Sequence, residues 1–169
     1  MTLIIKKILL VVILLIVSLS CKMSYSFSGA SLSPDVKTVS VDFFSNRASL
    51  INPALSQNFT ESLKDKFTSE AGLSLVSSSG DLEFSGAITS YRLSPVSIQQ
   101  NQAAMMRLTI KVSVKFINNI DPNQNYTQVF SEYGDYEADQ DFTSTEEDLN
   151  RLIIEKLMEK IFMKSAANW

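Results

Sequence analysis

One alternating stretch in the second half of the chain constrains the fold most strongly. From Met106 to Phe116 every second residue is apolar, and the positions between them are Arg107, Thr109, Lys111, Ser113 and Lys115. Successive side chains of a β-strand point to opposite faces, so this pattern predicts a strand with one packed face and one face in water. A sheet built around such a strand is covered on one side only, as is common for antiparallel sheets.

Weaker patterns predict the other strands. Alternation over Val36–Phe44 places Val39, Val41 and Phe43 on one strand face. Pro95 is expected to end the strand that begins at Leu82, because proline cannot donate to a strand ladder. The amide-rich run from Ser97 to Ala104 is either a loop or a loose hairpin connection. Further strands are predicted, in chain order, at Leu73–Val76 (a short one), Leu82–Leu93 and Tyr126–Tyr136.

Two helices are predicted from capping and periodicity. Asn52-Pro53 has the composition of a helix start. The helix that follows is expected to end at Gly72 and carries an apolar stripe with spacings of four. The members of the stripe are Leu55, Phe59, Leu63 and Phe67. The second helix is expected to begin with a capping box, formed either by Thr143 with Glu146 or by Ser144 with Glu147. Its predicted apolar face runs to the terminal residues and consists of Leu149, Leu152, Ile153, Leu157, Ile161 and Phe162.

This order of elements predicts the fold class. Strand, helix, several strands and helix give an α+β fold, in which a small, mostly antiparallel or mixed sheet of about four strands carries two helices on one face. The length of 169 residues fits one domain. We therefore expect a single core, preceded by a serine-rich tether that leads into it.

The first 20 residues have the organisation of a secretory signal peptide. Lys6 and Lys7 precede an uncharged apolar run, Ile8–Leu19. A retained membrane anchor is the rival interpretation, but the run is shorter than the roughly 20 apolar residues that a spanning helix needs. The sequence predicts cleavage before Cys21, so residues 1–20 are a signal peptide, 21–34 a tether and 35–169 the folded domain.

Cys21 is the only cysteine in the chain, and Ser18-Leu19-Ser20-Cys21 resembles a bacterial lipobox with serine in place of the usual aliphatic residue at position 18. The resemblance implies acylation of the Cys21 thiol. Two or three acyl chains hold a protein stably at a membrane, whereas a single chain gives only marginal membrane binding. No aspartate follows the cysteine, and by the sorting rules of such signals this implies the periplasmic face of the outer membrane.

Composition excludes several classes of function. Histidine is absent, which removes the commonest general base and the usual zinc ligand. Beyond residue 20 the chain carries 13 basic and 18 acidic side chains, which argues against binding nucleic acid. No nucleophile motif or phosphate-binding glycine loop is present. We therefore predict a protein that is not an enzyme and that uses no metal and no cofactor.

The stretches "YSFSGASLSPDVKTVSVDFF" and "NPALSQNFTESLKDKF", with the strand series before a closing helix, resemble the lipopolysaccharide-assembly lipoprotein family (LptE-like) in its Bacteroidetes-type form. The resemblance spans Tyr25–Trp169. It implies a small sheet with two helices on one side, and a role as a plug in the lumen of the lipopolysaccharide-transport β-barrel, in a 1:1 complex. It also implies lipopolysaccharide and outer-membrane lipid as partners, the latter through acylated Cys21.

Four basic residues are candidate contacts for lipopolysaccharide. Arg107, Lys111 and Lys115 share the wet face of the central strand, and Arg92 lies near the end of a neighbouring strand. Cations spaced along one face suit a line of phosphates, although the same pattern also fits an ordinary solvated face. The acidic residues between Asp135 and Asp141 suit the start of the second helix better than a calcium site. The alternative function is a free-standing periplasmic lipoprotein that binds a soluble or polysaccharide ligand.

Overall fold

A six-stranded sheet carries two helices on one of its faces in the computed structural model, which describes residues 32–49, 52–99 and 102–166. The predicted signal peptide and Cys21 lie outside these residues. The elements are, in chain order, β1 (Thr38–Val41), β2 (Ser45–Asn46), α1 (Pro53–Ser69), β3 (Ser74–Leu75), β4 (Leu82–Gln99), β5 (Gln102–Asn118), a 3-10 turn (Pro122–Gln124), β6 (Tyr126–Glu137) and α2 (Phe142–Ala166).

The sheet is mixed, in the order β3-β1-β4-β5-β6, with β2 also beside β4. β1 pairs in parallel with both β3 and β4, and β2 pairs in parallel with β4, whereas β4, β5 and β6 form a long antiparallel meander. The predicted α+β class is confirmed. The prediction of about four strands was too low. β3 lies within the short strand predicted at Leu73–Val76, but β2 has only two residues and leaves little periodic signal.

The β4–β5 hairpin is longer than its sequence predicted. β4 continues through Pro95 to Gln99, and β5 begins at Gln102, so the amide-rich run belongs to a hairpin. The predicted break at Pro95 was wrong. Among the described residues β4 has no neighbour beyond Ile88 on its β1 and β2 side, and its register with β5 shifts next to Pro95. Proline is tolerated at such an edge with a bulge.

Helix α1 begins as predicted, but it ends at Ser69, three residues before Gly72. The Asn52 side-chain oxygen accepts hydrogen bonds from the backbone N–H groups of Ala54 and Leu55, each at 3.0 Å. Beyond the last turn, Gly72 adopts φ +67°, the left-handed conformation that favours glycine after a helix. All four residues of the predicted stripe are buried.

Helix α2 begins differently from either predicted capping box. The Asp141 carboxylate accepts a hydrogen bond from the Thr143 N–H, and the Asp141 carbonyl accepts one from the Ser144 N–H. Asp141 thus supplies the cap, and the Glu146 side chain turns inward. There Glu146 Oε1 accepts hydrogen bonds from the Tyr91 hydroxyl at 2.6 Å and from Asn52 Nδ2 at 2.7 Å.

The core lies between the helices and the inner side of the sheet. The ring of Phe67 on α1 packs between Phe84 of β4, with centroids 4.6 Å apart, and Phe162 of α2, at 5.3 Å. Two predicted core positions were wrong. Phe43 is 59% exposed, because the chain leaves regular β geometry after Val41 and turns Phe44 inward instead, and Leu152 is 43% exposed.

The two helices run parallel, side by side. Asn52 meets Glu146 at their starts, and Lys66 Nζ lies 2.7 Å from a carboxylate oxygen of Glu159 near their ends. Neither helix in the described ranges has an apolar stretch long enough to cross a membrane.

Gly86 marks the closest approach of β4 to its neighbours, and it provides a test of the fold. A Cβ atom there would lie 2.0 Å from the Ser113 carbonyl oxygen and 2.8 Å from the Phe44 ring. Because the strand pairing fixes the position of the Ser113 carbonyl, we expect Gly86→Ala to lower the free energy of unfolding by about 1–3 kcal/mol or more. Urea denaturation measures this, with the adjacent Ser85→Ala as a control. An unchanged midpoint for Gly86→Ala would contradict the register of β4 with β5.

Candidate functional site

The side of the sheet that faces away from the helices is the candidate functional site, and we call it the outer face. It is built by the alternate residues of β4, β5 and β6 whose neighbours in sequence point into the core. Its members include Ser85, Ala87, Arg92, Arg107, Thr109, Lys111, Ser113, Lys115, Val129, Ser131, Tyr133 and Asp135. No element of the described part of the chain covers this face.

Lys111 and Lys115 are exposed on β5, four residues apart, which corresponds to about 13 Å along a strand. Arg92 is exposed on β4, opposite Thr109 and therefore diagonal to Lys111. Within residues 32–49, 52–99 and 102–166, none of these three cations forms an ion pair with a carboxylate. The structure therefore brings three of the four predicted residues together as uncompensated positive charges on one surface.

Arg107 lies on the same face but is already neutralised. Its Nε and Nη2 atoms each donate to the Asp135 carboxylate at 2.7 Å, in a bidentate pair between β5 and β6. Its guanidinium carbon also lies 3.6 Å from the ring centroid of Tyr133, which is a cation–π contact. The guanidinium holds the pKa of the Asp135 carboxyl below its ordinary value. Arg107 therefore supplies a planar platform at one end of the face, and little net charge.

The surface between the charged residues is flat. Ser85, Ser113 and Ser131 have short side chains, and Ala87 is buried. Two larger apolar groups border it along β6, namely Val129, which is 55% exposed, and Tyr133, which is 44% exposed. A large anionic ligand can reach the lysines here without displacing other side chains.

Sequence reasoning did not identify Tyr133 and Asp135 as parts of this face. The β5–β6 register places Thr109 opposite Tyr133 and Arg107 opposite Asp135. The sequence already held the necessary signal, because these residues alternate with buried ones along the strand. The other aromatic residues of β6 point inward: Phe130 and Tyr136 are buried, and the Tyr126 hydroxyl lies 2.7 Å from Ser165 Oγ.

The Arg107–Asp135 pair predicts a specific titration. Because the pKa of folded Asp135 is lowered, the stability from this pair is present above the ordinary carboxyl pKa and is lost as pH falls through the lower folded value. We expect the Asp135 carboxyl carbon to titrate below pH 3.8 in NMR spectra, and the midpoint to rise in Arg107→Gln. In this variant desolvation, which raises the pKa of Asp135, is opposed only by the weaker effect of nearby Lys156. Lys115→Gln is the control, and an equal rise there would contradict the pairing.

Comparisons with known proteins agree with this architecture. The model of the family described as LptE, lipopolysaccharide-assembly, matches residues 36–165. No curated protein matches the chain. Among solved structures, the uncharacterized lipoprotein B from Nitrosomonas europaea is 11% identical, with a TM-score of 0.53 over 78% of this chain and 83% of that one. At this identity the likeness is one of fold.

Two other solved structures are similar at a lower score. A minor lipoprotein from Acinetobacter baumannii is 15% identical over 76% of this chain and 93% of that one, with a TM-score of 0.48. A hypothetical protein from Chlamydia trachomatis is 10% identical over 78% and 99% of the respective chains, with a TM-score of 0.49. The family match covers most of the described domain, from the residues before β1 to the last turn of α2. The chain belongs to the LptE family of lipopolysaccharide-assembly proteins.

Proposed function

We propose that this protein is a lipid-anchored, non-enzymatic partner of the lipopolysaccharide-transport β-barrel, which it enters as a 1:1 plug and assists in inserting lipopolysaccharide into the outer leaflet. The observation that carries this proposal is the uncovered outer face with its three unpaired cations, in a chain of the lipopolysaccharide-assembly family. The protein acts as a scaffold in this proposal, because it binds and orients without making or breaking bonds.

The anchor is acylated Cys21, on the periplasmic face of the outer membrane. Contact with the core begins before residue 35, because Leu32 packs against it, and Val36 is buried. About ten residues therefore separate the lipid from the folded domain, which in an extended chain span at most about 35 Å. This length keeps the domain close to the membrane while leaving it free to enter a barrel.

The outer face contacts the phosphate groups of lipopolysaccharide in this proposal. Lys111, Lys115 and Arg92 supply charge-assisted hydrogen bonds, and Tyr133 with Arg107 supplies a flat platform beside them. Exposed charge pairs contribute at most about 1 kcal/mol each. Three such contacts favour capture and orientation of a passing ligand over tight retention, which suits a protein that must release lipopolysaccharide onward.

Affinity purification tests the barrel partnership. We expect the protein, extracted from outer membranes in a mild detergent, to bring down a large β-barrel in equimolar amount. Mass spectrometry of the same sample is expected to give a chain that begins at acylated Cys21. Recovery of the lipoprotein alone would contradict the plug and favour the alternative, a free-standing periplasmic lipoprotein with a soluble or polysaccharide ligand.

Charge reversal tests the outer face. The double variant Lys111→Glu/Lys115→Glu is expected to weaken lipopolysaccharide binding about tenfold or more, because two favourable contacts of up to about 1 kcal/mol each become repulsive. The matched control is Lys64→Glu/Lys164→Glu, which makes the same change in net charge on the helices. Binding is measured by titration with purified lipopolysaccharide, and equal losses in both variants would overturn the assignment of the face.

A further inference from the structure

A groove runs between the two helices on the side of the helix layer that faces away from the sheet. Its volume is about 610 Å³, within the range of about 300–1,000 Å³ that is usual for ligand clefts. We call it the inter-helix groove, and residues of both helices line it. Because the helices lie between it and the sheet, the groove and the outer face are on opposite sides of the protein.

Its floor is apolar and one end is closed. Ile154 and Met158 of α2 form the floor, with nearly all of their surface already packed against the core. Lys66 closes one end, because its Nζ atom lies 2.7 Å from carboxylate oxygens of both Glu70 and Glu159. The groove is therefore a defined trough, with a narrow aliphatic strip along its base.

The walls of the groove carry excess negative charge. Asp65 of α1 and Glu147 and Glu155 of α2 line it, and in the described part of the chain none of them forms an ion pair. Two cations line the groove, Lys66 and Arg151, and Arg151 is paired with Asp148. Lysines of α2 could neutralise these acids, but two of them point elsewhere.

These two lysines lean toward β6. Lys156 Nζ donates to the Tyr133 carbonyl oxygen, and Lys160 pairs with Glu132. Lys156 and Lys160 thus lie on the β6 flank of α2, while the carboxylates face the groove. The protein presents opposite charges on opposite sides, with free cations on the outer face and free carboxylates in the groove.

We propose that the inter-helix groove binds a short cationic segment of a partner protein in an extended conformation. Lysine or arginine side chains of the segment pair with Asp65, Glu147 and Glu155, and an aliphatic side chain between them rests on the Ile154–Met158 floor. From Asn58 to Ser69 the groove follows about 17 Å of helix, the length of about five extended residues. A segment of opposite charge complements walls that repel the phosphates of lipopolysaccharide.

The site is independent of the proposed function, since it uses none of the residues assigned to lipopolysaccharide. A peptide in the groove and an anionic ligand on the outer face can be bound together. The two assignments therefore succeed or fail separately.

The test uses the lipoprotein in a neutral detergent and a fluorescent hexapeptide composed of lysine and leucine. We expect saturable binding by fluorescence anisotropy, an affinity about tenfold lower for Asp65→Asn/Glu155→Gln, and backbone NMR shifts confined to α1 and α2. The control Asp42→Asn/Asp139→Asn removes two exposed carboxylates outside the groove and is expected to bind as the wild type does. Lys111→Glu/Lys115→Glu is also expected to leave the affinity for the peptide unchanged.

Three results would overturn the proposal. Equal losses in the groove and control variants would mean binding by net charge alone. An unchanged affinity after leucine is replaced by serine in the peptide would show that the apolar floor plays no role. The wild type could also self-associate in sedimentation experiments. If both Asp65→Asn/Glu155→Gln and Lys111→Glu/Lys115→Glu abolish that self-association, the occupant of the groove is a second copy of this chain.

Discussion

The register between β5 and β6 decides which residues this protein buries and which it presents to solvent. Twelve successive pairs run without a shift from Met105 opposite Glu137 to Phe116 opposite Tyr126. A slip of β5 by one residue would move Lys111 and Lys115 into the core and its apolar set into water, at a cost of several kcal/mol for each buried unpaired charge. The packing of both helices and the charge of the outer face depend on this register.

Strict periodicity made the main elements predictable from sequence. The β5 alternation and the α1 stripe each depend on residues a few positions apart, and both are confirmed. Prediction failed where the position of a side chain depends on partners that are distant in sequence. Glu146 leaves the capping box because Tyr91 and Asn52 offer it donors, and Phe44 replaces Phe43 inside because irregular backbone breaks the alternation.

The predicted basic cluster shows the same limit. Its members on β5 could be placed on one face from spacing alone, but the sequence did not show that Arg107 forms an ion pair. Asp135 is 28 residues away, and only the β5–β6 register brings the two together. Charge balance on a sheet face depends on cross-strand neighbours, and these require the topology as well as the strand assignments.

The position of Glu146 also has a consequence for how the domain assembles. Asn52 caps α1 with its side-chain oxygen, and its amide nitrogen is held by a carboxylate 94 residues later in the chain. The cap of the first helix is thus oriented by the first turn of the last helix, while Tyr91 ties both to β4. A nascent chain that ends before α2 lacks this carboxylate and most of the cover over β6. The domain is therefore expected to fold as one cooperative unit after the chain is complete, and a truncation within α2 destabilises the start of α1 as well.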